Sequence, residues 1–366
     1  MNWQLFHELL SIDSTSGKER KVADWLLATL EAPKKQAMEV GDGTLNLLFS
    51  WGTPKVVFCT HMDTVPPYIP PVLPERSFVA TAPQDDKEGR HYDISCHSER
   101  SEESSVISGR GACDAKGQIL AMYTACKELE ARGCTDFGLL LLAGEETGSW
   151  GAKAFAKTEF TAPFLIVGEP TENKMVSASK GTKSYDLTFH GEAFHSGYPQ
   201  YGTSAIDLFN EFYNALKAKD FGMDPVLGET TWNVGLLQSD NPQNILSPEV
   251  KCRLYFRTTF TSDQEVQAFM EEMAGQAGHD AQGQASIDVH ARGGDAPAKY
   301  VTLPGFQSAP VAFGSDAPHL TNYGHKIICG PGSIRYAHRP DEHILTEELE
   351  TAVQQYVKMY HQLWSK

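Results

Sequence analysis

Short apolar runs alternate with amphipathic stretches in the first and last parts of the chain. Each run is bounded by turn residues and has the length and composition of a strand buried in a parallel sheet. The runs cover residues 55–60, 137–144, 164–168 and 310–314. Helical periodicity over residues 117–133, and after Ser16 and Glu19 in capping-box spacing, places helices between and before the strands. This alternation predicts an α/β fold with a mixed, mostly parallel sheet sandwiched by helices.

The middle of the chain has a different pattern. Four runs alternate apolar and polar residues with a period of two, and two helical patterns lie among them; the runs are YDLTFHG, TWNVGLL, CRLYFRTTF and ASIDVHA. They predict an α+β layer whose antiparallel sheet is covered on one face. We therefore predict a discontinuous catalytic domain formed by residues 1–176 and 291–366, and an inserted domain formed by residues 177–290.

One polar segment interrupts the first domain. Residues 84–108 are rich in serine and charge and have no sustained period, which predicts an exposed loop or β-excursion. His91, Cys96 and His97 offer an alternative metal site in this segment. A solvated insertion is the interpretation that we adopt.

Composition excludes several classes of partner. Among the 366 residues, acidic side chains outnumber basic ones by 47 to 31, and the resulting charge of −16 repels nucleic acid. No apolar run approaches the roughly 20 residues of a membrane span, and the N-terminus lacks a secretory signal, so we expect a cytoplasmic protein. The seven cysteines form no C-x-x-C pair, which indicates reduced thiols. A bound metal would then be held by histidine and carboxylate groups.

Candidate metal ligands follow the predicted strands or precede the predicted helix. Because ligands of open α/β sheets bind at the carboxyl ends of the strands, we expect these side chains to converge. They are His61 and Asp63 after the first run, Asp114 before the helix, Glu145 and Glu146 after the second run, and Glu169 after the third.

The chemistry of these residues indicates distinct roles. Two adjacent glutamates directly after core residues cost desolvation and repulsion unless a cation neutralises them. One of Glu145 and Glu146 can bind the metal while the other serves as general base for water. Asp63 can accept the second ring N–H of His61 and so orient it. The structural alternatives are an acidic loop at the glutamates and a glycine-rich turn capped by Asp114.

The candidate ligands lie within longer motifs that follow one another in a fixed order from residue 61 to residue 338. The motifs are His61-Met62-Asp63-Thr64-Val65-Pro66, Gly109-Arg110-Gly111-Ala112-Cys113-Asp114-Ala115-Lys116-Gly117, Gly144-Glu145-Glu146-Thr147-Gly148, Val167-Gly168-Glu169-Pro170-Thr171, His195-Ser196-Gly197 and Gly330-Pro331-Gly332 leading to Ala337-His338. The set resembles a family of two-zinc metallohydrolases that contains acetylornithine deacetylase, succinyl-diaminopimelate desuccinylase, aminoacylase and a zinc carboxypeptidase. Its acetylornithine deacetylase-like members are the most similar.

The resemblance implies a pair of Zn²⁺ ions, which Co²⁺ could replace. The implied ligands are His61 and Glu169 on one ion, Glu146 and His338 on the other, and Asp114 on both. Each ion would then keep an open position, as catalytic zinc sites do. Glu145 is implied to be the general base that takes a proton from water and passes it to the leaving amine.

The resemblance also assigns roles in the inserted domain. His195 is implied to stabilise the oxyanion, often in the active site of a neighbouring subunit, so we expect a homodimer formed through this domain. Asn244 is implied to face the substrate, and Arg257 to bind its carboxylate. Relatives often have an aspartate where this chain has Tyr255. Residues 314–316 resemble a segment near the substrate pocket.

The expected function is metal-dependent hydrolysis of the amide bond of a small N-acyl amino acid. N-acetylornithine, an intermediate of arginine biosynthesis, or N-acetylcitrulline is the first candidate substrate. Succinyl-diaminopimelate, another N-succinyl amino acid or a small di- or carboxypeptidase substrate is the alternative. A succinyl group would call for one more cation, for which Lys180, Lys183 and Arg335 are candidates. A catalytically silent zinc-binding or scaffold protein is the alternative from another class, and the unliganded base Glu145 argues against it.

Overall fold

The computed structural model describes residues 1–41, 43–72, 105–275 and 286–364. Most of the polar segment 84–108, with His91, Cys96 and His97, lies outside the described residues. Its last residues form the short strand Val106–Ser108.

The described residues form helices and strands in alternation along most of the chain. The α-helices are α1 Trp3–Leu10, α2 Arg20–Thr29, α3 Lys116–Ala131, α4 Trp150–Phe155, α5 Ala205–Ala218, α6 Asp263–Gly275 and α7 Thr346–Trp364. The strands are β1 Lys34–Gly41, β2 Thr44–Trp51, β3 Val56–His61, β4 Val106–Ser108, β5 Phe137–Leu142, β6 Ala162–Val167, β7 Met175–Ser179, β8 Gly181–His190, β9 Met223–Asp224, β10 Gly228–Glu229, β11 Thr231–Gln238, β12 Glu249–Thr258, β13 Ser286–Gly293, β14 Ala298–Lys299, β15 Ser308–Val311, β16 Tyr323–Ile328 and β17 His343–Leu345. Among the described residues, no helix combines the length and apolar character needed to cross a bilayer.

A six-stranded sheet forms the centre of the first structural unit. Its strand order is β1-β2-β5-β3-β6-β16; β5, β3, β6 and β16 are parallel to one another, and β2 is antiparallel to both of its neighbours, β1 and β5. Every residue of β2, β3 and β5 is buried, so both faces of the sheet are covered. The prediction of a mixed, mostly parallel sheet is therefore confirmed, although the β1–β2 hairpin lies outside the predicted elements.

The prediction of a buried parallel strand at residues 310–314 is wrong. The strand at this place, β15, is half exposed and belongs to a three-stranded sheet of order β14-β7-β15. The sixth position of the large sheet is taken by β16, which pairs parallel with β6. Only Tyr323, Ile327 and Ile328 of β16 are buried. Because a glycine, a histidine and a lysine separate the first of these from the other two, the strand contains no continuous apolar run.

The second structural unit contains a four-stranded antiparallel sheet of order β11-β12-β8-β13. Alternate residues of β12 are buried, and with β8 they pack into a core that includes residues of α5 and α6. This is the predicted one-sided α+β layer, and α5 covers the predicted helical segment. Residues Ser177–Lys299 and Pro310–Gly314 make up this unit, and the rest of the chain makes up the first. Residues 291–299 group with it because β13 continues to Gly293 and β14 pairs with β7.

Candidate metal and active site

Three neighbouring parallel strands bring the predicted ligands to one edge of the large sheet. His61 is the last residue of β3, Glu145 and Glu146 follow β5 after two further residues, and Glu169 follows β6 after one. Asp114 lies just before α3, outside these strands, and its carboxylate lies close to His61 and Glu169. Because these strands are parallel, their carboxyl ends converge, as the sequence predicts for a ligand site.

Asp114 lies between two histidines. One carboxylate oxygen is 3.0 Å from Nε2 of His61, and the other is 3.3 Å from Nε2 of His338. The same nitrogen of His338 is 2.9 Å from Oε1 of Glu146. His338 has a φ of 66°, in the left-handed region that is uncommon for histidine and that often marks functional sites. Asp114 can therefore serve two ligand groups at once.

The side chains form two groups whose ligand atoms lie within 4.8 Å of one another, and Asp114 belongs to both. The first group is His61, Asp114 and Glu169, and the second is Asp114, Glu146 and His338. These are the two sets that the sequence resemblance implies for a pair of metal ions. A third, overlapping group joins His61 with Glu145 and Glu146.

The electrostatics of the cluster fit a bound cation. Burial raises the pKa of Glu145 and of Glu169 well above the usual value, and neighbouring carboxylates add to the shift. Burial also raises the pKa of Glu146. Hydrogen bonds to Asp114 and Glu146 raise the pKa of His338 to about 10. Such crowding is costly without positive charge, and nitrogen and oxygen donors of this kind suit zinc.

Asp63 supports the cluster in two ways. Its main-chain oxygen lies 3.0 Å from Nδ1 of His61, closer than its carboxylate at 3.5 Å. The nearest partner of Nδ1 of His61 is thus the main-chain oxygen of Asp63, where the sequence predicts its side chain. The carboxylate accepts the backbone N–H groups of Glu145 at 3.0 Å and Glu146 at 3.1 Å. Asp63 therefore connects one predicted ligand with the loop that carries two others.

The predicted capping box at the start of α2 is not formed. Ser16 donates its hydroxyl to Asp63 at 2.9 Å, and the buried carboxylate of Glu19 accepts the N–H of Gly17 at 2.8 Å. Glu19 is itself the N-cap residue and provides no side-chain cap to the helix. Ser16 thereby connects the N-terminal segment to Asp63, and Glu19 closes the turn at Gly17. Capping-box spacing reveals neither contact.

His195, Asn244 and Arg257 all belong to the second unit. Nδ1 of His195 accepts the N–H of Gly197 at 3.1 Å, and its neighbour Ser196 donates its N–H to the main-chain oxygen of Asn244 at 2.9 Å. His195 and Asn244 thus lie on two adjacent segments. The guanidinium of Arg257 lies 5.0 Å from the ring centroid of Tyr255, the residue that replaces the expected aspartate.

Two of the candidate cations for a succinyl group are engaged within the second unit. Lys180 donates to the main-chain oxygen of Glu229, and Lys183 lies 3.2 Å from the carboxylate of Asp263. Arg335 is exposed in the first unit. The two lysines are therefore less suited to a substrate carboxylate than their sequence positions indicate.

Two further carboxylates near the cluster are almost fully buried. Burial raises the pKa of Asp316 to about 6, and one of its oxygens lacks a hydrogen-bond partner. Asp316 lies in the segment 314–316, which resembles a segment near the substrate pocket of the family but could equally be a turn at a strand end. Glu342, which no sequence motif singles out, accepts backbone N–H groups of the loop that carries Asp114. Its only sequence signal is its position four residues after His338.

An α/β fold that gathers histidine and carboxylate side chains at its strand ends is suited to binding a catalytic metal ion. Residues 57–362 match the model of peptidase family M20/M25/M40. A peptidase M20 domain-containing protein of Schizosaccharomyces pombe is 32% identical over 371 residues, which cover 97% of this chain and 83% of that protein. A probable carboxypeptidase of Aspergillus flavus is 30% identical over 396 residues, covering 97% and 88%.

Solved structures show the same fold. A tripeptidase of Staphylococcus aureus aligns over 100% of this chain and 98% of its own with a TM-score of 0.78 and 17% identity. An M20 family metallo-carboxypeptidase of Sulfolobus solfataricus aligns over 98% of both chains with a TM-score of 0.67 and 16% identity. This chain belongs to the peptidase family M20/M25/M40, and it is therefore a hydrolase of the metallopeptidase class that acts on amide or peptide bonds.

Proposed function

We propose that the protein hydrolyses the amide bond between an acyl group and the amino group of an amino acid that has a free carboxylate. The observation that carries this proposal is the position of Asp114, which belongs to two groups of ligand atoms, each within 4.8 Å. A carboxylate shared in this way suits a pair of metal ions, and paired metal sites are common among enzymes that hydrolyse peptides and phosphate esters.

Five residues would hold two Zn²⁺ ions in this proposal, and Co²⁺ could replace them. His61 and Glu169 would hold one ion, Glu146 and His338 the other, and Asp114 both. When bound, two divalent cations would supply Lewis acidity to polarise the substrate carbonyl and to lower the pKa of the attacking water. The donor set supports this assignment because it offers one imidazole and at least one carboxylate oxygen to each ion.

Glu145 is the proposed general base. It is held beside the cluster by the hydrogen bond from its N–H to Asp63, at 3.0 Å, and its carboxylate is left over once the five ligands are assigned. It would take the proton of the attacking water and deliver it to the leaving amine.

In the second unit, His195 would stabilise the oxyanion and Asn244 would face the substrate. Arg257 would bind the substrate carboxylate, a planar anion that suits its fork.

The acyl group distinguishes the candidate substrates. N-acetylornithine or N-acetylcitrulline follows from the motif resemblance, and a role in arginine biosynthesis would follow from the former. The names of the curated relatives favour a peptide instead, because several are called probable carboxypeptidases. Both reactions cleave the bond on the amino side of a terminal amino acid, so they are variants of the same proposed chemistry. The engaged lysines Lys180 and Lys183 count against the N-succinyl alternative.

A substrate panel tests the proposal. The metal-loaded protein is assayed with N-acetylornithine, N-acetylcitrulline, N-succinyl amino acids, dipeptides and tripeptides, each beside its C-terminal carboxamide. We expect turnover of at least one free carboxylate, far slower turnover of its carboxamide, and loss of activity in Glu145→Gln. Equal turnover of the carboxamides would show that the enzyme does not require a free carboxylate. Activity that chelators leave unchanged would refute the metal mechanism.

The assembly and the cellular location complete the proposal. A homodimer formed through residues 177–290 would allow His195 to act in the neighbouring subunit, and we propose a cytoplasmic location. Sedimentation of the purified protein would determine the oligomeric state.

A further inference from the structure

Glu342 occupies a buried position next to the loop that carries Asp114. It directly precedes β17, which pairs antiparallel with β4, so that His343 lies opposite Ser108. The main-chain oxygen of Glu342 accepts the N–H of Gly109 at 3.0 Å. The strand pair therefore fixes Glu342 against the turn that leads from Gly109 to Asp114.

The carboxylate of Glu342 accepts a concentrated set of backbone hydrogen bonds. Its Oε1 atom is 2.9 Å from the N–H nitrogen of Gly111, 3.1 Å from that of Cys113 and 3.1 Å from that of Asp114. Successive backbone N–H groups turned toward one anion form a nest, and hydrogen bonds to an ionised acceptor are the stronger kind. The side chain of Glu342 is fully buried, so water does not compete for these donors.

Arg110 completes the arrangement. Its Nη1 atom lies 2.5 Å from Oε2 of Glu342, and the arginine side chain is 2% exposed. The same guanidinium donates to the main-chain oxygen of Pro67 at 3.2 Å and to that of Arg339 at 3.3 Å. These contacts tie together the segment that follows His61, the loop that carries Asp114 and the segment that follows His338.

We propose that Glu342 and Arg110 are positioning residues that hold Asp114 and His338 at the separation needed to share a metal ion. This inference rests on the proposed metal site. Buried ion pairs contribute little net stability compared with apolar side chains of similar size, so stability alone is a weak reason for the pair. The backbone N–H of Asp114 and the carbonyl of Arg339, next to His338, are its direct partners. The first partner is the backbone of the proposed ligand Asp114 itself, and the second is the residue that directly follows the proposed ligand His338.

Metal affinity tests the proposal independently of catalysis. Glu342→Gln keeps the size of the side chain but loses the charge that faces three N–H groups and Arg110. We expect its affinity for the more weakly held Zn²⁺ ion, measured by equilibrium dialysis in zinc buffers, to fall about 10- to 100-fold. The Co²⁺ absorption spectrum of the variant should change as well, and kcat should fall more than KM rises.

Tyr360→Phe is the matched control. It removes a partly buried hydrogen bond from the tyrosine hydroxyl to the main-chain oxygen of Thr135, at 2.6 Å, near the start of β5 and away from the cluster. We expect this variant to lower Tm without changing zinc affinity or the Co²⁺ spectrum. If the two variants lose zinc affinity in proportion to their loss of Tm, the positioning role is wrong.

A second variant covers the case in which Glu342→Gln does not fold. Arg110→Lys keeps a cation beside Glu342 but loses the fork that reaches Pro67 and Arg339. Its zinc affinity should fall by about tenfold, and an affinity equal to wild type would overturn the proposal. Wild-type protein that binds no divalent metal would refute the proposed function as well, whereas normal metal binding in both variants would refute only the positioning role.

Discussion

The substitution Asp63→Asn tests how the loop with the two glutamates is held. The two carboxylate oxygens of Asp63 accept one N–H each, from Glu145 at 3.0 Å and from Glu146 at 3.1 Å. An asparagine side chain presents only one oxygen, so whichever way its amide turns, one N–H faces another donor. Asp63 is fully buried, so water cannot replace the lost acceptor.

The expected magnitude follows from these contacts. A hydrogen bond to a charged group contributes about 1.5–3 kcal/mol, so the free energy of unfolding should fall by about 2 kcal/mol. The loop that carries Glu145 should shift relative to the cluster, and loss of such a supporting partner typically costs about 10- to 100-fold in activity. We therefore expect kcat to fall within that range while KM changes little. Urea denaturation and steady-state kinetics measure the two quantities.

Ser16→Ala is the matched control for Asp63→Asn. It removes the hydroxyl that donates to the same carboxylate at 2.9 Å, but it leaves both backbone N–H groups with their acceptors. Its free energy of unfolding should fall by about 1 kcal/mol, and its kcat should stay within about threefold of wild type. An Asp63→Asn protein with wild-type kcat, or a Ser16→Ala protein with the same loss of kcat, would refute this account of the loop.

The remaining predictions concern the base, the second unit and one ion pair. Glu145→Ala should keep the metal content of wild type while kcat drops at least about 10²-fold; unchanged turnover would exclude it as the base. Mixing His195→Ala with Glu145→Ala subunits should restore partial activity, and no restoration under proven subunit exchange would contradict action across a dimer. Arg257→Ala should raise KM for a carboxylate substrate by about tenfold or more, and an unchanged KM would exclude the proposed contact. Hydrogen bonds from Arg253 and Arg292 lower the pKa of Asp186 to about 2, so these ion pairs stabilise the fold above about pH 4 and their contribution is lost toward pH 2. The Tm difference between wild type and Asp186→Asn should accordingly be small and should shrink as the pH falls from about 6 to about 3.

The convergence of the site could be predicted from sequence because it depends on local signals. Apolar runs identify β3, β5 and β6, and a parallel sheet brings their carboxyl ends together whatever the rest of the fold. The proposed ligands His61 and Glu169 and the proposed base Glu145 lie within three residues of those ends. Their proximity thus follows from strand identity alone.

Other features depend on tertiary contacts that leave no local pattern. The strand β16 is buried at Ile327 and Ile328 but contains exposed polar residues, whereas the apolar run 310–314 contributes only its first two residues, as part of β15, to a small sheet. Glu342 belongs to no recognised motif in the sequence, and the pairing of β17 with β4 brings it to the loop of Asp114. The positions of such residues depend on strand pairs that are far apart in the sequence.

The negative charge of the carboxylates in the cluster indicates how many divalent metal ions the cluster would hold. The four carboxylates of Asp114, Glu145, Glu146 and Glu169 lie together with two histidines, and three of the four have pKa values raised by burial. One divalent cation would neutralise only half of their charge and would leave buried negative charge uncompensated, which is costly in a protein interior. A second divalent cation would reduce this remaining negative charge. Because Asp114 has one oxygen toward each histidine, it would offer a carboxylate oxygen to each ion. The charge balance and the geometry therefore favour the same paired site.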